Sequence, residues 1–108
     1  MIKITDETEL KQLERCRASE DRIEVDGVIH TCVDMVRALR LVNEALCPGG
    51  KAVVSVPNGI LAWDDPRARR QLHIATFKAF ERAPVHPSFF TVRSHVNNSQ
   101  LVVEMTKA

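Results

Sequence analysis

The sequence lacks most features that would assign it to a specialised class of proteins. It contains no tyrosine, a single tryptophan (Trp63) and four glycines among 108 residues. Its apolar runs are far shorter than the ~20 residues that a membrane-spanning helix needs. Its first residues lack the basic start, apolar segment and cleavage site of a secretion signal. We therefore expect a cytoplasmic protein that does not insert into a membrane.

Cysteine usage argues against a disulfide-stabilised protein, and net charge argues against a strongly basic nucleic-acid-binding protein. The three cysteines, Cys16, Cys32 and Cys47, are odd in number and widely spaced, with no Cys-x-x-Cys pair, which is not the pattern of a disulfide framework. Fifteen basic residues against fourteen acidic ones give a formal charge of +1. No global field therefore attracts the chain to nucleic acid, and such binding would need a local basic patch.

What remains is the composition of an ordinary globular domain. Apolar residues make up 44% of the chain and charged residues 27%, both typical of globular proteins. The length suits one domain, residues 1–108. The pattern predicts an α/β fold, with an α+β arrangement left open, in which a mixed sheet of five to six strands and three helices follow the order β-α-ββ-α-β-α-ββ.

Turn signals divide the first third of the chain. Ile2 and Ile4 fall on one face of a short strand, and Asp6 then begins a helix. Residues 22–31 place two short apolar-bearing runs around Asp26-Gly27, a pair that suits the positive φ angles of a type I′ turn. This pattern predicts a β-hairpin. One longer strand with a kink at Gly27 is the alternative.

The middle of the chain predicts a helix followed by a buried strand. Thr31 and Asp34 have capping-box spacing, and an apolar stripe runs from there to about Leu46. Pro48 and the following glycine pair end the helix. Residues 51–56, KAVVSV, are almost continuously apolar or β-branched, which predicts a central strand covered on both faces.

The last third predicts a long helix and a hairpin. Asp65 is a suitable N-cap and Pro66 a suitable first helical residue, so a third helix is expected over residues 66–82. Two apolar-bearing runs then flank Asn97-Asn98, residues that tolerate left-handed backbone geometry. A terminal hairpin follows from this arrangement.

Residues 36–58, which contain NEALCPGGK and AVVSVPN, resemble the second half of class I S-adenosylmethionine-dependent methyltransferases. The predicted order from Arg22 to the C-terminus also follows that half. The resemblance implies a methyltransferase-like half-domain. Members of the family bind their cofactor mainly through an earlier glycine-rich loop and an acidic residue after the next strand. This sequence contains neither, so no cofactor-binding residue is carried over, and another chain would have to supply the missing half.

The sequence offers no catalytic, cofactor or metal site. His30-x-Cys32 provides two residues of the type that bind zinc, but two ligands do not make a site. Cys32 lies near a helix start, which can lower a thiol pKa, although a small packed residue is the preferred interpretation. We therefore predict no catalytic residues, no cofactor and no metal.

The third helix and the preceding loop carry the predicted binding surface. In a helix over residues 66–82, the alanines face the sheet while Phe77 and Phe80 lie on another side. Trp63 lies in an apolar loop, and aromatic and arginine side chains are enriched at binding hot spots. The predicted partner-binding residues are Trp63, Arg69, Arg70, His73, Phe77 and Phe80. The alternative is that other elements of the same chain cover the phenylalanines.

These features together favour a non-catalytic module that binds another protein or a second copy of itself. Phages and other mobile elements encode small accessory and inhibitor proteins of this profile, and a homodimer fits equally well. A methyltransferase-like half-domain that needs a partner chain is one alternative. Nucleic-acid binding through the basic third helix, which would carry Arg67, Arg69 and Arg70, is the other.

Overall fold

A computed structural model describes residues 1–84 and 86–107, and it confirms an α/β fold built on a mixed sheet of five strands. The strands are β1 (Ile2–Ile4), β2 (Glu20–Asp26), β3 (Leu46–Pro57), β4 (Thr91–Asn97) and β5 (Gln100–Thr106). Two α-helices, α1 (Met35–Ala45) and α2 (Ile74–Lys78), and two 3-10 helices, Glu7–Arg15 and Gly59–Asp64, connect them.

The strand order in the sheet is β1-β2-β3-β5-β4. The first three strands are mutually parallel, and β5 and β4 complete the sheet in antiparallel fashion. Both parallel connections step in the same direction, so right-handed crossovers place the first 3-10 helix and α1 on the same face of the sheet. The carboxyl ends of the three parallel strands therefore meet at one edge.

The described residues cover one face of the sheet and leave the other partly exposed. Alternate residues of the three inner strands are fully or almost fully buried: Ile23, Val25, Ala52, Val54, Val56, Leu101, Val103 and Met105. The intervening residues, such as Glu24, Val53 and Glu104, remain partly exposed. The expectation that residues 51–56 are covered on both faces is therefore wrong. Their strand is central, but its second face lies among polar neighbours, including the Lys51–Glu104 ion pair (3.2 Å).

The hairpin predicted over residues 22–31 is wrong. β2 is one strand that ends at Asp26, and the Gly27 N–H donates to the Ser55 carbonyl (2.9 Å), which extends the contact with β3. Gly27 has the positive φ that a turn requires (71°). However, β1 and β3 occupy both edges of β2, so no edge is free for a hairpin partner. The chain instead enters a loop in which Val28, Ile29 and His30 are buried.

The third helix predicted over residues 66–82 is also wrong, since only Ile74–Lys78 is α-helical. Contacts with distant parts of the chain satisfy the backbone of the preceding residues. The Arg69 N–H donates to the His30 carbonyl (2.8 Å), and the Leu72 carbonyl accepts from the Gly59 N–H (3.0 Å). These tertiary hydrogen bonds outweigh a favourable helix-start signal, because propensity is only a weak prior.

Two other predictions hold with changed boundaries. Asp34 caps α1 by accepting from the Arg37 N–H (3.0 Å), and the helix ends at Ala45, three residues before Pro48. The terminal hairpin is confirmed. Asn98 adopts a positive φ of 57° in the turn between β4 and β5. No helix among the described residues is long and apolar enough to cross a membrane.

The burial of Phe77 gives the first testable prediction. Its side chain is completely buried, whereas Phe90 is half exposed and lies 4.8 Å from the Arg82 guanidinium. Phe77→Ala should lower the free energy of unfolding by about 3–5 kcal/mol. Phe90→Ala should cost no more than about 1 kcal/mol, the upper value of an exposed cation–π contact. Chemical denaturation followed by circular dichroism measures both, and equal losses would contradict this placement of Phe77.

Candidate functional site

A cleft of about 510 Å³ opens at the edge where the parallel strands end. Three segments line it: the residues after β1, the loop after β2 and a stretch beyond the second 3-10 helix. The lining residues are Thr5, Asp6, Glu7, Gly27, Val28, Thr31, Pro66, Arg67, Ala68 and Arg69. In open α/β sheets, ligands bind outside the carboxyl ends of the strands. This carboxyl-edge cleft is therefore the candidate site.

One wall of the cleft is formed by residues 65–70, here called the crossing segment, which lies across the loop after β2. Arg69 Nε donates to the Thr31 carbonyl (3.0 Å). Arg70 donates to the carbonyls of Ile29 (2.6 Å) and Val33 (3.2 Å). These hydrogen bonds satisfy loop carbonyls that no neighbouring strand reaches, so Arg69 and Arg70 hold the wall in place.

A buried polar pair continues this attachment. His30 is 2% exposed, and its Nε2 lies 3.1 Å from Asp65 Oδ2. Asp65 Oδ1 also accepts from the backbone N–H (2.9 Å) and Nε (3.3 Å) of Arg67. The hydrogen bonds from Arg67, with a smaller contribution from His30, lower the pKa of Asp65 to about 2. Asp65 is therefore ionised at neutral pH.

Two carboxylates stand on the β1 side of the cleft. Asp6 Oδ1 caps the first 3-10 helix by accepting from the Thr8 N–H (2.9 Å) and hydroxyl (3.1 Å), and the backbone hydrogen bond is the main cause of the lowered pKa of Asp6. Glu7 Oε1 accepts from the Val33 N–H (3.0 Å). The cleft thus has an acidic side at Asp6 and Glu7 and a basic side at Arg67 and Arg69.

A second groove, of about 410 Å³, lies between the first 3-10 helix and α1, with Cys32 among its lining residues. Burial raises the pKa of the Cys32 thiol, and this effect exceeds the opposing influence of Arg70. The lowered pKa considered from the sequence is therefore wrong, because burial opposes the thiolate. Among residues 1–84 and 86–107, no group of three metal-binding side chains comes together.

The six predicted partner-binding residues do not form one surface. Trp63 is 51% exposed beside the exposed Ile60 and Leu61, but Phe77 is fully buried and Phe80 packs against the core. The ring of His73 lies against Gly59, where an added Cβ would approach His73 Cε1 to 2.8 Å. The helix that carried the nucleic-acid alternative is absent over residues 66–73. A partner role for any of the six stays a prediction.

Sequence reasoning missed most of the residues that form the cleft. Asp26-Gly27 was interpreted as a hairpin turn, although the same pair also suits the end of a parallel strand. The sequence favours a helix cap at Asp65 and offers His30 as a possible zinc ligand, and neither interpretation places them in a cleft. Their 3.1 Å contact joins residues 35 positions apart, and no local sequence pattern specifies a pairing over that distance.

No family model matches this sequence, and no curated protein matches it significantly. Solved structures do share its fold. The CurJ carbon methyltransferase matches 91% of this chain at 17% identity with a TM-score of 0.67. The methyltransferase domain of the citrinin polyketide synthase matches 84% at 13% identity, TM-score 0.65. A possible histamine N-methyltransferase from Thermotoga maritima matches 85% at 16% identity, TM-score 0.59.

The chain spans only part of these structures: 32% of the CurJ enzyme, 28% of the citrinin domain and 58% of the Thermotoga protein. The fold over most of the chain is therefore that of S-adenosylmethionine-dependent methyltransferase domains. This confirms the resemblance seen over residues 36–58. It also contradicts the non-catalytic binding module that the sequence favoured, and it supports the methyltransferase-like half-domain instead.

The Asp65 interactions predict a specific dependence of stability on pH. The folded-state pKa of about 2 lies below the ordinary value of 3.8. The stabilisation from ionised Asp65 is therefore complete well above pH 3.8 and is lost as the pH falls towards 2. The melting temperature of the wild type minus that of Asp65→Asn should be constant near neutrality and shrink on acidification. Asp64→Asn, which changes an exposed neighbour, is the control, and a difference that persists to pH 2 would contradict the assignment.

Proposed function

We propose that this chain is a methyltransferase-like half-domain that acts in S-adenosylmethionine-dependent methyl transfer through its carboxyl-edge cleft, together with a second polypeptide. The likeness to methyltransferase structures over 84–91% of the chain carries this proposal. The cleft supports it, because it lies where open α/β sheets bind ligands. Methyl transfer as such is an inference from fold and site together.

The residues of the cleft suit a nucleoside that carries an amino-acid group. Asp6 Oδ1 and Glu7 Oε1 are already hydrogen-bonded within the chain, so the second oxygen of each carboxylate is the acceptor available for a ribose hydroxyl or an ammonium group. Val28, Pro66 and Ala68 give the cleft apolar lining for a base. A Cβ placed on Gly27 would meet no atom within 4 Å, so this position leaves open space beside the site.

A second polypeptide is part of the proposal because this sequence contains no glycine-rich cofactor-binding loop. Its four glycines are Gly27, Gly49, Gly50 and Gly59, and none belongs to a G-x-G-x-x-G sequence. Gly49 and Gly50 lie inside the extended β3, not before a helix. The phosphate-free cofactor would still need backbone groups that approach it closely, and glycine-rich loops provide such groups.

The chemistry of the transfer belongs to the cofactor, which supplies an electrophilic methyl group on a sulfonium sulfur. This chain would bind and orient. Arg67 and Asp6 would hold the amino-acid group of the ligand, and the crossing segment would cover one side of it. Correct placement of two reactants can account for a large share of a rate enhancement, so binding residues alone are a meaningful contribution.

Titration of the isolated chain with S-adenosylmethionine tests the proposal. We expect weak but saturable binding, with a dissociation constant on the order of 1 mM or weaker, because only part of the contact set is present. Heteronuclear NMR should show the largest amide shifts at Gly27, Thr31 and Ala68. An absence of shifts at the cleft, or shifts confined to the groove beside α1, would overturn the proposal.

A matched pair of variants localises the binding. Asp6→Asn and Asp34→Asn each replace a helix-capping aspartate that accepts a backbone N–H, and asparagine caps helices about as well. Only Asp6 lines the carboxyl-edge cleft. Asp6→Asn should weaken S-adenosylmethionine binding several-fold while Asp34→Asn leaves it unchanged. Equal effects would mean that the cleft is not the site.

A further inference from the structure

Three side chains form a hydrogen-bonded series that runs from the core to the cleft. His30 Nε2 contacts Asp65 Oδ2 (3.1 Å), and the same oxygen accepts from Arg67 Nη2 (3.3 Å). His30 is 3% exposed at its side chain, Asp65 20% and Arg67 77%. The series therefore begins at a buried imidazole and ends at a guanidinium on the cleft wall.

The buried end of the series has no other polar function in the described chain. His30 Nδ1 is buried without a hydrogen-bond partner among residues 1–84 and 86–107. Because Nε2 faces an ionised carboxylate, this nitrogen carries a proton and donates it to Asp65. Burying an imidazole in this way costs free energy, and among residues 1–84 and 86–107 the hydrogen bond of the ring is the one to Asp65. His30 is therefore in a position to hold that carboxylate.

The exposed end of the series retains hydrogen-bonding capacity. Arg67 gives Nε and one Nη2 hydrogen to Asp65, which leaves three of its five N–H donors for a ligand. Arg67 lines the cleft. A guanidinium that is already held in one orientation loses less entropy when it binds a carboxylate than a free side chain does.

The charge of the cleft determines the kind of ligand that suits this arginine. Asp6 and Glu7 line the same cleft, and Asp6 is close enough to Arg67 for each to influence the other's ionisation. A simple anion would meet repulsion from both carboxylates. A group that carries a carboxylate and an ammonium together matches both sides.

We propose that His30 is a positioning residue which, through Asp65, fixes Arg67 to bind the carboxylate of a zwitterionic amino-acid group while Asp6 and Glu7 receive its ammonium. This assignment rests on the cleft being the ligand site of the proposed function. Beyond the proposed function, it specifies an amino-acid zwitterion as the recognised group and His30 as a residue that acts on Arg67 through Asp65.

The test follows the Arg67 Nε–H signal by NMR in the wild type, His30→Leu and His30→Gln. Leucine fills the buried space without a donor, whereas glutamine can donate to Asp65. In His30→Leu the Arg67 Nε–H should exchange with water several-fold faster, and His30→Gln should restore slow exchange. His95→Leu, which alters an exposed histidine of β4, is the control and should leave the signal unchanged.

Ligand recognition is measured at the same signal with L-methionine as the probe, and with acetate and methylamine as its separate halves. L-Methionine should bind more tightly than either half, and His30→Leu should weaken it about fivefold, the equivalent of one neutral hydrogen bond. An unchanged Arg67 exchange rate in folded His30→Leu would overturn the positioning role. Equal binding of acetate and L-methionine would overturn the zwitterion assignment.

Two further comparisons distinguish failure of this inference from misfolding of a variant and from failure of the proposed function. If His30→Leu fails to fold by circular dichroism, Asp65→Asn breaks the same series at a more exposed position, and faster exchange of the Arg67 Nε–H is again the expected result. A separate outcome is that S-adenosylmethionine fails to bind although the Arg67 Nε–H exchanges slowly and L-methionine binds. That result would overturn the proposed function and would support the positioning role of His30. Fast exchange already present in the wild type would overturn the inference alone.

Discussion

The arrangement of the whole molecule depends on β2 being hydrogen-bonded along both of its edges. Parallel pairing with β1 and β3 means that the chain after Asp26 cannot fold back as a neighbouring strand. It must leave the sheet at its carboxyl edge, and Gly27, with a φ of 71°, makes that exit. The loop that follows carries carbonyl groups that no strand satisfies, so another part of the chain has to supply donors.

The crossing segment supplies those donors, which explains why a long third helix does not form. A helix over residues 66–82 would satisfy its own backbone but would leave the loop carbonyls of Ile29, Thr31 and Val33 without Arg69 and Arg70. The contact with the Ile29 carbonyl is partly buried, and leaving such a carbonyl unsatisfied is costly. The structure therefore exchanges local helical hydrogen bonds for contacts between distant segments, and this exchange creates the cleft wall.

The sequence was sufficient where the structure depends on local signals. The strand at Ile2–Ile4, the Asp34 cap of α1 and the terminal hairpin at Asn98 each follow from a few neighbouring residues. The sequence was insufficient where the local structure depends on which strands or distant segments pack against it. Asp26-Gly27 suits a hairpin as well as a strand end, and only the occupied edges of β2 decide between them. Phe77 lies in the part of residues 66–82 that is helical, but its burial depends on elements distant in the sequence, so helical periodicity alone places it on a surface.

The open face of the sheet limits where the second polypeptide of the proposed function could make contact. Its central positions include the ion pairs Arg22–Glu24 and Lys51–Glu104, at 3.1 and 3.2 Å, and covering them with an apolar layer would cost the solvation of four charges. Such exposed pairs contribute little stability. Their main effect is that the charged face favours contact with water over contact with an apolar surface. A partner that adds cofactor contacts would therefore approach the carboxyl edge, where the cleft is already polar and where Asp6, Glu7 and Arg67 offer groups to share. In the proposed function the chain would then keep one face of its sheet in solvent while the cleft gains contacts from the end of the sheet.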